Sequence, residues 1–124
     1  MLILMVDDDY DDFEIFCEAL KAVNAKVRCL HATNGAEAFD LLKNHMVDLP
    51  DYIFLDINMP VMNGRECLTR IKKDNRLKEI PVVIYSTSSD VREMEYCKGV
   101  GAREFIVKPG SFEKLVSVIS STIT

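Results

Sequence analysis

With 124 residues, 48% of them hydrophobic, and a mixed charged surface, the chain is sized for one soluble domain with a real core. Its net charge of -5 argues against nucleic acid, which is gripped mainly through Lys and Arg on phosphates, and turns attention to protein partners. The opening apolar run breaks at Asp7, too short for a secretory or membrane segment, so the cytoplasm is the expected location.

Leu2-Ile3-Leu4-Met5-Val6 reads as a buried strand that stops at Asp7, Asp8 and Asp9. The helix after it repeats apolar residues at Phe13, Phe16, Cys17 and Leu20, with Asp9 as its cap. Val27 to Ala32 reads as a second strand, and Asn34-Gly35 opens a helix carrying Ala38, Leu41 and Leu42 inward. A third strand, Tyr52-Ile53-Phe54-Leu55, ends at Asp56. The loop Ile57-Asn58-Met59-Pro60-Val61-Met62-Asn63-Gly64 is rich in turn residues and long enough to move, and it leads into a helix with Cys67, Leu68 and Ile71. Pro81 to Tyr85 gives strand four. A helix with a poor apolar face is expected from Ser89 to Lys98, closed by Gly99 and Gly101. Glu104 to Val107 is strand five, ending at Lys108-Pro109, and the last helix, Phe112 to Ile123, turns Leu115, Val116 and Ile119 inward.

Five strand–helix units in alternation predict an α/β domain around a parallel sheet, where crossovers are right-handed and ligands gather at the carboxyl ends of the strands. Polar residues fall there together: Asp7 and Asp8 after strand one, Asp56 after strand three, Ser86 and Thr87 after strand four, Lys108 after strand five. One such charge is commonly just solvated; the agreement of four strands is a site. Asp7, Asp8 and Asp56 suit magnesium, a hard cation that takes carboxylate, water and phosphate oxygens. A carboxylate such as Asp56 can attack a phosphoryl group and hold it as an acyl phosphate. Lys108 can contact the phosphoryl oxygens, and a strand-four hydroxyl can donate to them.

Other residues read as structural. Asp9, Asp11 and Asp12 are helix-start charges on the surface, because carboxylates favour helix N-termini, and they stay outside the site. His31 and His45 have no Cys or acid at metal spacing. Cys17, Cys29, Cys67 and Cys97 lie far apart with no C-x-x-C pair, so they offer neither a zinc site nor a thioredoxin-like pair and read as reduced structural thiols.

The motifs Val6-Asp7-Asp8-Asp9, Leu55-Asp56-Ile57-Asn58-Met59-Pro60 with Asn63-Gly64, Ile80-Pro81-Val82-Val83-Ile84-Tyr85-Ser86, and Val107-Lys108-Pro109 together resemble the response-regulator receiver domain of two-component signalling. The resemblance runs from Met1 nearly to Thr124. It implies one receiver domain over residues 1-124, with the flavodoxin-like (βα)5 sandwich and strand order 2-1-3-4-5. It also makes Asp56 the phosphoacceptor and Asp7 and Asp8 the acidic pair, Asp8 being the more direct ligand of Mg2+ or Mn2+. Asn58 would give its backbone carbonyl to the metal. Ser86, five residues on from Pro81, falls at the family's hydroxyl position, with Thr87 next door as the competing choice. Lys108 matches the family lysine, and the Lys108-Pro109 bond would be cis as in relatives. Phe105 stands where the family has a rotating aromatic, commonly tyrosine.

The implied function is that of a response regulator, not an enzyme: a cytoplasmic phosphoprotein that takes its phosphoryl group from a sensor histidine kinase or a histidine phosphotransfer protein. The surface of helix four, strand five and helix five would then switch toward a protein target, or the group would pass on in a phosphorelay. The chain would act as a monomer or a phosphorylation-dependent homodimer, without nucleic acid or membrane contact. A start at Met1 and a last helix close to the terminus point to a stand-alone regulator over a receiver cut from a larger protein. The segments Asp74-Asn75-Arg76-Leu77-Lys78-Glu79-Ile80-Pro81 and Ser86-Thr87-Ser88-Ser89 resemble single-domain receivers paired with phytochrome-type kinases. Two other classes share parts of the pattern. A haloacid dehalogenase-type magnesium phosphatase needs a second Asp two residues after its nucleophile, and that place is Asn58. A flavodoxin-like electron carrier needs donors for a flavin phosphate after strand one, where Asp7, Asp8 and Asp9 would repel it.

Overall fold

The computed structural model describes residues 1–59 and 62–123; Pro60 and Val61 of the loop after the third strand, and the terminal Thr124, lie outside the described residues. Strands β1 (Leu2–Val6), β2 (Arg28–Ala32), β3 (Tyr52–Leu55), β4 (Val82–Ser86) and β5 (Glu104–Val107) form one parallel sheet in the order β2-β1-β3-β4-β5, as the resemblance implies. Helices α1 (Tyr10–Val23), α2 (Gly35–Asp40), α3 (Gly64–Lys73), α4 (Val91–Val100) and α5 (Phe112–Ile123) connect and flank the strands. The inner strands β1, β3 and β4 are apolar runs because both faces are covered, whereas the edge strands β2 and β5 keep residues half-exposed.

Alternation along the strands sorts the core into two layers. Ile3, Met5, Phe54, Val83 and Tyr85 meet Phe16, Ala19 and Leu20 of α1 and Leu115, Ile119 and Ile123 of α5. Leu4, Val6, Ile53, Leu55, Val82 and Ile84 meet Ala38 of α2, Cys67, Leu68 and Ile71 of α3, Leu77, and Cys97 of α4. Each fully buried Leu, Ile or Phe contributes about 1.5–3 kcal/mol. Helix starts are capped locally: Asp9 accepts from the N–H groups of Asp11 and Asp12, Asn34 from Glu37, Asn63 from Glu66, and Asp90 from Arg92.

Several boundaries differ from the expected ones, each for a physical reason. β2 starts at Arg28 because the Val27 N–H is already used on the Asn24 carbonyl. β4 runs one residue further, so Ser86 sits inside the ladder opposite Val107. α2 stops at Asp40 and widens into a π-helical turn over Leu41–His45, which buries Leu42 and leaves Leu41 half-buried. The carbonyls at that turn's end are met from outside, by Arg76 Nη1 on Leu42 O (2.8 Å) and Nη2 on Met46 O (2.6 Å). Gly99 lies within α4 and does not close it. Gly101 takes the left-handed φ of 127° that ends the helix, donating its N–H to the Cys97 and Lys98 carbonyls. The Lys108-Pro109 bond is trans, not cis; trans is the isomer that an X–Pro bond favours by about 0.5–1 kcal/mol.

Candidate functional site

The parallel ladder brings three strand ends to one edge. The Asp7 N–H donates to Ala32 O (3.0 Å) and the Asp56 N–H to Val6 O (2.9 Å), so both aspartates continue the ladder by one residue. Their carboxylates are buried, while Asp8 is exposed. Lys108 follows β5, its N–H on the Ser86 carbonyl at 2.8 Å. Its ammonium donates to Asp7 Oδ2 and to Asp12 Oδ2, each at 2.8 Å, and lies 3.5 Å from Asp56 Oδ2. Asp7 Oδ1 accepts the Asp9 N–H at 2.9 Å. The backbone N–H groups of Asn58 and Ile57 face the Asp56 carboxylate and favour its charged form.

Gly64 is what lets α3 begin against this edge. A Cβ there would come within 2.1 Å of the Asp56 carbonyl oxygen, and its N–H donates to Ile57 O at 2.8 Å. The Asn63-Gly64 pair therefore combines a cap with a close backbone approach.

Electrostatically the edge is overloaded with negative charge. Burial pushes the Asp7 carboxyl above the usual carboxylate range, against the opposing pull of the Lys108 bond and the Asp9 N–H. Asp56 is raised for the same reason, against the Lys108 charge and the Asn58 and Ile57 N–H groups. Burial works to lower the Lys108 ammonium, but hydrogen bonds to Asp12 and Asp7 and the charge of Asp56 hold it above the ordinary lysine range. One ammonium thus faces Asp7, Asp12 and Asp56, with Asp8 beside them.

The donor set fits a hard divalent cation. Among the described residues, one oxygen each from Asp7, Asp8 and Asp56 lies within 4.8 Å of the others, and opposite ligands of an octahedral magnesium stand about 4.2 Å apart. Asp8 at solvent leaves that side of the cluster open to water.

Asp7, Asp8, Asp56 and Lys108, all expected at the site, are brought together. Ser86 is buried at the end of β4 with its Oγ accepting the Ser88 N–H (3.2 Å), while Thr87 is exposed. Asn58 has an exposed side chain and reaches Asp56 through its backbone. Phe105, opposite Ile84, is half-buried against the α2–α4 layer, two residues down the ladder from the level of Ser86, or about 7 Å.

Asp12, assigned above to the solvated surface, is a partner of Lys108. The signal was present: Asp12, Phe16 and Leu20 recur at four-residue spacing, so Asp12 shares the buried stripe of α1. His31 is a second omission. Its Nε2 donates to the Asp7 carbonyl at 2.8 Å, which requires the Nε2–H tautomer, and its ring stacks on Phe13 with centroids 4.1 Å apart. No local spacing announces that bond, which depends on β1 pairing with β2.

The model of the family described as response regulator receiver domain matches residues 3–120. The sensor histidine kinase CheAY of Helicobacter pylori is 35% identical over 124 residues, covering 98% of this chain and 15% of that protein. The two-component response regulator ORR6 of Oryza sativa subsp. japonica is 35% identical over 109 residues, covering 88% of this chain and 63% of its own length. The chain therefore spans less than two thirds of either relative. Among solved structures, the phosphorylated cyanobacterial phytochrome response regulator RcpA is similar with a TM-score of 0.88 at 30% identity, covering 98% of this chain and 89% of that one. The Mn(2+)-bound form of response regulator Rcp1 is similar with a TM-score of 0.86 at 27% identity, covering 97% and 89%. No described helix is long and apolar enough to cross a membrane.

Proposed function

We propose, from the premise that this chain belongs to the response regulator receiver domain family and is a two-component response regulator, that Asp56 is its phosphoacceptor. The carrying observation is the convergence of Asp56, Asp7 and Asp8 within 4.8 Å, beside an ammonium tethered by Asp7 and Asp12. The donor is a phosphohistidine of a sensor kinase or of a histidine phosphotransfer protein. An Asp56 carboxylate oxygen attacks phosphorus, the nitrogen–phosphorus bond breaks, and the imidazole leaves, giving an acyl phosphate. The Ile57 and Asn58 N–H groups hold the carboxylate in position for that attack. Lys108, already 3.5 Å from Asp56, then donates to a phosphoryl oxygen.

Mg2+, or Mn2+ as in the Rcp1 structure, would be held by Asp7, Asp8, Asp56 and the Asn58 carbonyl, and would supply charge neutralisation on the phosphoryl oxygens. Both Asp7 oxygens already accept hydrogen bonds, so exposed Asp8 offers the more direct carboxylate. The new acceptor on Asp56 draws the Ser86 hydroxyl inward, and Phe105 turns into the space behind it. That shift remodels the surface of α4, β5 and α5 toward a protein target or a relay partner. The chain acts in the cytoplasm as one receiver domain over residues 1-124, regulating and not turning over substrate, as a monomer or phosphorylation-dependent dimer.

Intact-mass measurement with acetyl phosphate and magnesium tests the assignment: wild type gains one phosphoryl mass and Asp56→Asn gains none. An equal gain in Asp56→Asn would overturn it. Calorimetry should show magnesium binding lost in Asp8→Ala, and unchanged binding would remove Asp8 from the ligand set.

A further inference from the structure

We infer that Cys17 and Cys29 form a reversible disulfide site that joins the middle of α1 to the edge strand β2. Both line one cavity between those elements, together with Phe13, Leu20 and Val27. Both are free and half-buried, whereas Cys67 and Cys97 are buried in the opposite layer. The two side chains face each other across the α1–β2 seam, close enough for each to perturb the other's titration, and the Cys29 Sγ lies 3.8 Å from the Leu30 carbonyl. The inference is independent of the phosphoacceptor reading, because neither cysteine belongs to that site.

The surroundings assign each sulfur a part. Burial raises both thiols, Cys29 far more than Cys17, and the Cys17 thiolate is favoured by the Cys29 S–H and by Lys21 one turn along α1, against the charge of Glu14. Cys17 is therefore the attacking sulfur and Cys29 the resolving one. The oxidant is a low-molecular-weight disulfide such as oxidised glutathione. The Cys17 thiolate attacks one of its sulfurs, the glutathione disulfide bond breaks, and one glutathione leaves and takes up a proton. Cys29 then loses its proton and attacks the Cys17 sulfur, breaking the mixed disulfide and releasing the second glutathione. Two protein thiols are oxidised to one disulfide while one oxidised glutathione is reduced to two thiols. Scarcity of thiolate in this half-buried seam makes the exchange slow.

The test treats folded full-length protein with oxidised glutathione, quenches with acid, and reads the mass. Wild type should lose two hydrogens, carry no glutathione, map to a Cys17–Cys29 link, and return to its starting mass with dithiothreitol. Cys29→Ser should instead retain one glutathione on Cys17. A wild type that keeps a stable glutathione adduct, keeps both thiols open to alkylation, or links Cys67 or Cys97 would overturn the inference. So would a Cys17–Cys29 link that forms only in urea-unfolded chains.

Discussion

Helices α1 and α4 pack against the same sheet by different means. α1 sinks Phe16, Ala19 and Leu20 almost completely, and the Phe16 ring touches Phe54 and Tyr85 with centroids 4.8 and 5.4 Å apart. α4 buries Cys97 alone among its described residues. Much of the rest of its hold is polar and partly exposed: the Arg65 guanidinium lies 4.0 Å from the centre of the Tyr96 ring, and Arg65 Nε stands 3.8 Å from Glu93 Oε1. An exposed cation–π contact contributes about 0.5–1 kcal/mol and an exposed ion pair about 0–1 kcal/mol, far below a buried aromatic. The difference matches what each helix carries. Asp12 on α1 must keep a fixed distance to Lys108, and a rigid seam provides that. α4 is part of the surface proposed to switch, and a weakly anchored element moves at low cost.

The contrast is broken most directly by truncating one anchor on each side. Phe16→Ala should cost about 3–5 kcal/mol in urea unfolding, the range for a buried aromatic that leaves a cavity, whereas Tyr96→Ala should cost about 1 kcal/mol or less. Equal losses would mean that α4 is no weaker than α1.

A smaller effect sharpens the role of polar stitching in the α2–α4 layer. Arg76→Ala leaves the Leu42 and Met46 carbonyls without their charged donor and should cost about 1–2 kcal/mol. Amide exchange should rise over Leu41–His45 and stay unchanged in α1. Even protection across both would refute a local role for Arg76.

The smallest effect is a pH dependence. The Lys43 hydrogen bond at 2.6 Å, with the Arg76 and Leu77 N–H groups, holds the Asp74 carboxyl below its ordinary 3.8. A depressed carboxylate contributes stability that is fully present above pH 3.8 and disappears as pH falls through the lower folded value. Asp74→Asn should therefore lose stability at neutral pH and flatten the acid limb of the unfolding profile. Parallel profiles for variant and wild type, followed by circular dichroism, would count against that linkage.

Legibility in the sequence followed the range of the interaction. The α/β class was readable from the alternation of strand and helix patterns, and the positions of Asp7, Asp8, Asp56 and Lys108 were readable because β1, β3 and β5 are apolar runs that stop at a charge. Asp12 was readable too, from its spacing to Phe16 and Leu20, although its place in the first turn of α1 suggested a surface charge. Gly99 and Gly101 could not be ranked as helix stops, since both tolerate a left-handed φ and only the packed chain decides which takes it.

Local spacing by itself determined that β1, β3 and β5 stop at Asp7, Asp56 and Lys108, because a residue's neighbours along the chain set its face and its cap. Tertiary structure alone decided that His31 bonds the Asp7 carbonyl, that Arg76 closes a π-helical turn, and that Cys17 and Cys29 line one cavity. Those contacts join segments whose separation along the chain carries no periodic signal. They come into being only when strand register and helix docking bring the side chains within reach.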